Sequence, residues 1–328
     1  MIATGERNGS SRMDLSIIFV NWNSVDYLRE CIASIYENTR DVYFEIIVVD
    51  NASPQGGVES LRDQFRQITI IKSEKNVGFA GANNIGFRRS TGEYVLFLNP
   101  DTKLVDATIN TILAHIKLLP DAGIVGCRML NTDLSVQITS IQKFPKILNQ
   151  IFRAESLQLL WPHCPLWDIA PLFSDGVKAI KVEVIPGACM LLRRSVFEEV
   201  GMFSEEYFMY GEDLDLNYKL KRAGYTNYYV GEATIIHHGG GSSRQKVSQW
   251  AIIMQCRAMT RYYRKTRGPL YESMYWTATG CGAVARLVLL TAMYPISKDR
   301  QAVRYALEKW RVVLKWAIGY RDMVPEHQ

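Results

Sequence analysis

The run YVLFLNPDT, residues 94–102, decides how the chain reads. Its five leading residues are apolar and stop at Asn99, Pro100 and Asp101. A continuous apolar run of this length suits a strand covered on both faces. Residues 15–20 (LSIIFV) and 44–49 (FEIIVV) are two more such runs. The first stops at Asn21-Trp22-Asn23-Ser24, the second at Asp50-Asn51-Ala52-Ser53. Between them Tyr27, Leu28, Cys31, Ile32 and Ile35 fall at helical spacing, with Ser24 placed to cap that helix. Further pieces are a helix over 58–65, a strand over 68–72, and a loop turning into a helix over 76–86 (NVGFAGANNIG). Strands alternating with helices predict an α/β fold with a mostly parallel, doubly wound sheet.

In such sheets ligands bind beyond the carboxyl ends of the strands. Asn21, Asp50 and Asp101 stand at three such ends. Each taken singly reads as turn chemistry, since Asn and Asp bond their own backbone. All three together point to a site, in which Asp50 suits a base or ribose hydroxyl. Gly78, Ala80, Gly81 and Ala82 allow close backbone approach. No G-x-G-x-x-G follows the first strand, which argues against a nicotinamide dinucleotide.

Composition narrows the class. The chain has 328 residues, 48% hydrophobic and 22% charged, with a net charge of +5. Its six cysteines form no C-x-x-C pair, which argues against a disulfide framework or zinc site and fits a reducing cytosol. Residues 1–14 read as a flexible tail, with no signal peptide. Residues 137–181 are broken by Pro145, Pro162, Pro165 and Pro171. Trp161, Trp167 and Phe173 there either pack a small subdomain or face an acceptor or membrane.

Two further groups carry chemistry. Residues 210–216 (YGEDLDL) open a helix that ends at Gly224. Acids in a first turn complement the helix dipole without any catalysis. A carboxylate there can also be aimed at a cleft as a general base. Residues 228–236 are strand-like and stop at His237-His238 before a glycine run. With Asp101 as oxygen ligand, a mixed site for Mn²⁺ or Mg²⁺ follows.

The ordered set FVNWNS, VVDNAS, NVGFAGANNIG, LFLNPDT, GACMLLRR, GMFSEEYFMYGEDLDL with KRAGY, and IIHHGGGSS resembles the inverting glycosyltransferases of family 2. Within that family it is most similar to the rhamnosyltransferase-like enzymes of bacterial cell-surface polysaccharides. The resemblance implies a GT-A fold. It implies that Asn21, Asp50 and Asn51 contact base and ribose, and that Asn76, Gly78, Asn83 and Asn84 line the donor pocket. Asn99-Pro100-Asp101 takes the place of the family's D-x-D, with Asp101 on the metal and Asn99 contributing no charge. Gly187 and Ala188 lie beside the acceptor, Asp213 is the general base with Glu212 next to it, and His237 is a further metal or phosphate contact, ahead of His238. Ser204 stands where the family often has Asp, and Lys219 where it often has Arg. No Q-x-x-R-W is present, which favours transfer of a single sugar from a nucleotide-diphosphate donor to a lipid-linked saccharide.

The C-terminal part is basic. No acid occurs over 233–271, which holds Arg244, Lys246, Arg257, Arg261, Arg264, Lys265 and Arg267. A solvated face, an anionic lipid surface or an acceptor pyrophosphate would each explain it; no motif for nucleic acid accompanies the charge. Residues 277–296 have transmembrane length but hold Arg286 centrally. Residues 301–318 place Val303, Leu307, Trp310, Leu314 and Ala317 on one stripe, which suits an interfacial helix or one docked on the catalytic domain. The expected division is a catalytic domain over 15–245 and a membrane-associating helical extension over 246–328. The protein is expected on the cytoplasmic face of the membrane. A sugar-1-phosphate nucleotidyltransferase would need a glycine-rich basic loop after the first strand, which FVNWNS lacks. A non-catalytic carbohydrate-binding scaffold would not need both Asp101 and Asp213.

Overall fold

A computed structural model describes residues 13–137, 139–147, 178–239, 248–297 and 299–320. Trp161, Trp167, Phe173, the glycines of the 240–241 run, Arg244 and Lys246 lie outside these residues.

The apolar runs form β1 (Leu15–Asn21), β2 (Phe44–Asp50), β3 (Ile68–Lys72) and β4 (Tyr94–Leu98). They pair in parallel in the order β3-β2-β1-β4. Their crossovers carry α1 (Val25–Asn38), α2 (Leu61–Gln64) and α3 (Gly78–Arg89). Helix α1 buries Leu28, Cys31, Ile32 and Ile35 against the sheet, the face its spacing predicts. Ser24 does not cap it through its side chain. Its hydroxyl donates instead to Asn21 Oδ1, 3.1 Å away.

Beyond β4 there follow β5 (Thr102–Leu104), α4 (Thr108–Leu118), β6 (Ala122–Leu130), β7 (Ile180–Val182), β8 (Cys189–Arg193), α5 (Arg194–Glu199), α6 (Glu212–Arg222) and β9 (Thr226–His237). There the expected parallel pairing continues only between β6 and β9, and the other pairs are antiparallel. Strand β8 runs antiparallel to β4 and β6, and β5 and β7 run antiparallel to β9. The sheet is therefore mixed, and its mixing has a positional consequence. Leu98 pairs with Cys189, so β8 begins where β4 ends. Thr102 pairs with His237, so β9 ends where β5 begins. Both reversals bring loop residues to the carboxyl ends of the parallel strands.

Three helices complete the described chain: α7 (Gln249–Arg267), α8 (Pro269–Met293) and α9 (Arg300–Ala317). They have a core of their own, built on Tyr262, Tyr263, Tyr275, Ala283, Val313 and Trp316. Leu214 and Tyr218 of α6 pack against that core, so the extension is joined to the sheet-bearing part along α6.

Gly78 shows how tightly the loops meet at the sheet's edge. Its φ is +76°, and a Cβ there would lie 2.2 Å from the Phe208 carbonyl oxygen. Gly201 has a similar φ of +80° but open space around it. Gly201→Ala is expected to cost only the left-handed backbone penalty, about 1–2 kcal/mol. Gly78→Ala adds a backbone clash and should cost at least ~3 kcal/mol. Urea unfolding of the two variants checks the contrast.

Candidate active site

The site is best built from the strand ends. At the first two, Asn21 Nδ2 donates to Asp50 Oδ1 at 2.8 Å, and Ser53 Oγ donates to the same oxygen at 2.5 Å. Register makes this contact, since Asn21 and Asp50 are paired residues of β1 and β2. Both bonds fall on one carboxylate oxygen and fix the orientation of the other.

Asn51 holds the next loop. Its Oδ1 accepts from Val77 N–H at 2.9 Å, and its amide donates to Asn76 Oδ1 at 2.8 Å. Asn76 Oδ1 also accepts from Gly78 N–H at 3.0 Å. Asn83 donates to the Phe79 carbonyl, 3.0 Å away. Asn84 accepts from Phe203 N–H and donates to the Phe203 carbonyl and to Glu205. Asn21, Asn51, Asn83 and Asn84 are only 0–3% exposed. The structure therefore places them in the frame behind the strand ends, where buried amides must be bonded. They are not displayed on an open wall.

The third strand end gathers residues far apart in sequence. His237 Nε2 lies 3.4 Å from Asp101 Oδ1 and 3.4 Å from Asn99 Nδ2. His237 Nδ1 lies 2.9 Å from Gln137 Oε1. Gln137 Nε2 donates to Asn131 Oδ1 and to the His237 carbonyl, which assigns Oε1 as the atom facing the ring. In the neutral imidazole Nδ1 then carries the proton, and Nε2 presents a lone pair. A lone pair and a carboxylate oxygen thus face one another with the Asn99 amide donor beside them. Two Lewis bases so placed fit a shared divalent cation, with the second ring nitrogen oriented as in known histidine–metal sites. Among the described residues no group of three or more His, Cys, Asp or Glu side chains forms a fuller cage. His238 serves differently: its N–H donates to the Asp101 carbonyl at 2.9 Å, and its ring turns to Thr132 and Tyr27.

The base candidate stands across from this cluster. Gly211, with φ +83°, turns the chain into α6. Asp213 Oδ2 then accepts from Gly187 N–H at 3.0 Å, and Oδ1 from Leu214 N–H at 2.7 Å. Burial raises the Asp213 carboxyl above its usual range, opposed by those two N–H groups. Glu212 is 6% exposed. Burial and then the Asp213 charge push its carboxyl well above its usual range. Gly187 N–H bonds Asp213, and the Ala188 carbonyl accepts from Asn99 N–H at 3.0 Å. Two adjacent residues thereby join the Asp101 end to the Asp213 end.

Sequence reasoning missed several residues that hold this arrangement. Asn217 makes paired bonds with the Ile185 backbone, at 2.9 and 2.8 Å, and bonds the Asp213 carbonyl at 2.7 Å. Asn227 donates to Asn217 Oδ1 at 2.7 Å. Asp215, fully buried, accepts from Ser204 Oγ at 2.6 Å and pairs with Lys265 of α7 at 2.9 Å. The sequence signal was available for α6: Asn217 and Asp215 interrupt an otherwise apolar side beside Leu216 and Leu220. For Gln137 there was none, because its partner lies 100 residues away.

Residues 16–201 match the family described as "Glycosyl transferase family 2". The chain belongs to glycosyl transferase family 2. Residues 163–318 also match "Glycosyl transferase family group 2". This family 2 chain is rhamnosyltransferase-like. It is 28% identical over 242 residues to the N-acetylglucosaminyl-diphospho-decaprenol L-rhamnosyltransferase of Mycobacterium tuberculosis, covering 70% of this chain and 77% of that one. It is 27% identical over 272 residues to the O-antigen biosynthesis protein RfbC of Myxococcus xanthus. That match covers 82% of this chain, but this chain spans only 21% of RfbC. Its fold is that of the GT-A glycosyltransferases. A solved structure of the mannosyltransferase PcManGT from Pyrobaculum calidifontis, in complex with GDP-Man and Mn²⁺, superposes with a TM-score of 0.55. The sequence identity is 15%, and the match covers 95% of this chain and 89% of that one.

Two outcomes follow from the geometry. Gln137→Leu frees the His237 ring and should weaken Mn²⁺ binding about 10–100-fold, whereas Gln137→Glu keeps an acceptor and should bind near normally. Titration followed by the electron spin resonance of free Mn²⁺ measures this without turnover. The raised Asp213 carboxyl must be deprotonated to act as a base, so kcat/KM should fall with pH earlier than for an ordinary aspartate. Glu212→Gln should leave that acid limb in place, because the limb belongs to the Asp213 carboxyl; a pH–rate profile of both proteins checks it.

Proposed function

We propose that the protein transfers one sugar, L-rhamnose from deoxythymidine-diphosphate rhamnose, to a hydroxyl of a lipid-linked saccharide with inversion. The observation that carries this reading is the pairing of Gly187 with Asp213 beside the Asp101–His237 cluster. A base and a leaving-group site then flank one short stretch of backbone. The sugar and the acceptor class are supported by the likeness to a rhamnosyltransferase named for a diphospho-decaprenol substrate.

In this reading Asp50, oriented by Asn21 and Ser53, takes the nucleoside hydroxyls. Asp101 and His237 would hold a divalent cation, Mn²⁺ or Mg²⁺, which when bound supplies Lewis acidity toward a departing diphosphate. Asn99 adds an amide donor there and no second negative charge, so the pocket repels a diphosphate less than two carboxylates would. Asp213 takes the proton of the acceptor hydroxyl as its oxygen attacks the anomeric carbon from the face opposite the leaving group. The Gly187 N–H keeps the Asp213 carboxylate aimed while it waits for that proton. Glu212 is buried beside it, and that burial disfavours a second charge in the cleft. Cell-surface polysaccharide synthesis at the inner face of the membrane is the setting that suits such an acceptor.

A panel of nucleotide sugars with an N-acetylglucosaminyl-diphospho-lipid acceptor, read by mass spectrometry, tests the reading. The expected product gains one deoxyhexose. Asp213→Asn should lower transfer about 10²–10⁴-fold, as for loss of a general base, while calorimetry shows nucleotide binding retained. Pyrophosphate-dependent release of a nucleoside triphosphate would point to a nucleotidyltransferase instead. Absence of turnover with every donor would leave the carbohydrate-binding scaffold.

A further inference from the structure

Helix α8 is 25 residues long and apolar enough to cross a membrane. At 1.5 Å per residue it measures about 37 Å, more than the roughly 30 Å of a hydrocarbon core. Its packing tells against crossing. Glu272, Tyr275, Ala278, Thr279, Gly282 and Ala283 form its buried face. Along that side α9 runs antiparallel from one end to the other. Gly280 meets Ala317, the Arg286 guanidinium stacks 4.3 Å over the Trp310 ring, and Arg304 bonds the Tyr294 hydroxyl at 2.8 Å. Helix α9 carries Arg300, Arg304, Lys309, Arg311 and Lys315 along its length. A crossing α8 would have to draw those charges into hydrocarbon or break away from α9 and from its own core.

The opposite face of α8 is uncovered. Leu270, Met274, Val284 and Val288 on it are 45–70% exposed. Both charges of α8 turn away from it: Glu272 is buried beside Arg264, and Arg286 lies on Trp310. An apolar groove of about 710 Å³ continues this face toward α9, between Gly280 and Val284 on one side and Leu314, Ala317 and Ile318 on the other. At 100° per residue, Arg300, Arg304, Arg311 and Lys315 fall within an arc of about 60°, next to Leu314 and Ile318. Glu308 is the acid nearest that arc. An uncharged apolar face thus borders a cationic stripe, the charge arrangement of an interfacial helix.

We infer that α8 lies flat in one leaflet of an anionic membrane, its uncovered face among the acyl chains and the α9 stripe at the headgroups. The inference gives a membrane partner to the function proposed above and rests on that reading only for the presence of a lipid-linked acceptor. A flat α8 leaves α7, which is joined to α6 through the Lys265–Asp215 pair, at the membrane surface. The base-bearing helix would then sit within reach of a lipid-borne saccharide.

The test needs no nucleotide sugar, so it fails or succeeds separately from the transfer assay. The full chain with Cys164→Ser is spin-labelled at Cys281, or with Cys281→Ser at Leu270→Cys or Val288→Cys. It is mixed with vesicles of phosphatidylcholine and phosphatidylglycerol at 7:3, and label depth is read by power saturation with oxygen and a nickel chelate. Flat docking gives three equal depths of about 5–10 Å. A deep Cys281 with shallow ends would mean crossing and would overturn the inference. Water exposure of all three labels would overturn it too. So would immobilisation that depends on protein concentration without vesicles, which would assign the face to a second copy. Arg304→Glu with Arg311→Glu should weaken vesicle binding at least about 25-fold, from roughly fivefold per cation removed. Val284→Asp with Val288→Asp, on the exposed face, should abolish it with the circular dichroism unchanged.

Discussion

Everything in the candidate site hangs on where β8 enters the sheet. Gly187 N–H bonds the Asp213 carboxylate and the neighbouring Ala188 carbonyl accepts from Asn99 N–H. Because β8 starts at the level where β4 ends, this one dipeptide spans the gap between the two ends of the site. Its position is secured from behind by Asn217, which bonds both the N–H and the carbonyl of Ile185. Asn217 in turn is steadied by Asn227 of β9. The geometry of Asp213 is thus a property of three elements, and α6 alone would not set it.

A second theme is how little charge the site carries. Asn99 stands where a carboxylate could, and burial pushes the Glu212 carboxyl well above its usual range. Most of the buried polar groups nearby are amides, which can be fully bonded within the protein. The one wholly buried carboxylate on α6, Asp215, is met by Ser204 and by Lys265, with Lys219 at 3.9 Å. Removing such a partner leaves a buried charge uncompensated, which is costly. The extension is for that reason part of the support of α6, the helix that bears the base candidate, beyond any role at a membrane.

Family membership was legible in the order of the motifs, and the parallel half of the sheet in the buried runs that end at polar residues. The candidate residues were also legible as types: Asp50, Asp101, Asp213, Gly187 and His237 do gather at the carboxyl ends of the strands. Their roles were less legible. Asn51 and Asn84 look alike in sequence to residues that contact a ligand, yet both spend their amides on loop backbone. A motif states which residue types recur, whereas burial and bonding decide which atoms remain for a ligand. Arg286 is the same lesson in the extension. In sequence it interrupts an apolar helix, and in the fold it lies on Trp310.

By itself the sequence determined the buried strands β1 to β4 and helix α1, because hydrophobic period and helix-breaking residues act over a few neighbours. It determined that carboxylates and a histidine would stand at strand ends. Only the tertiary structure decided that β8, β5 and β7 run against their neighbours, since strand direction depends on connections many residues long. It alone paired His237 with Gln137, and thereby chose which ring nitrogen faces Asp101. It alone showed that α9 lies along α8 and leaves one apolar face bare. Those outcomes come from contacts between distant segments, and no local pattern in the chain carries them.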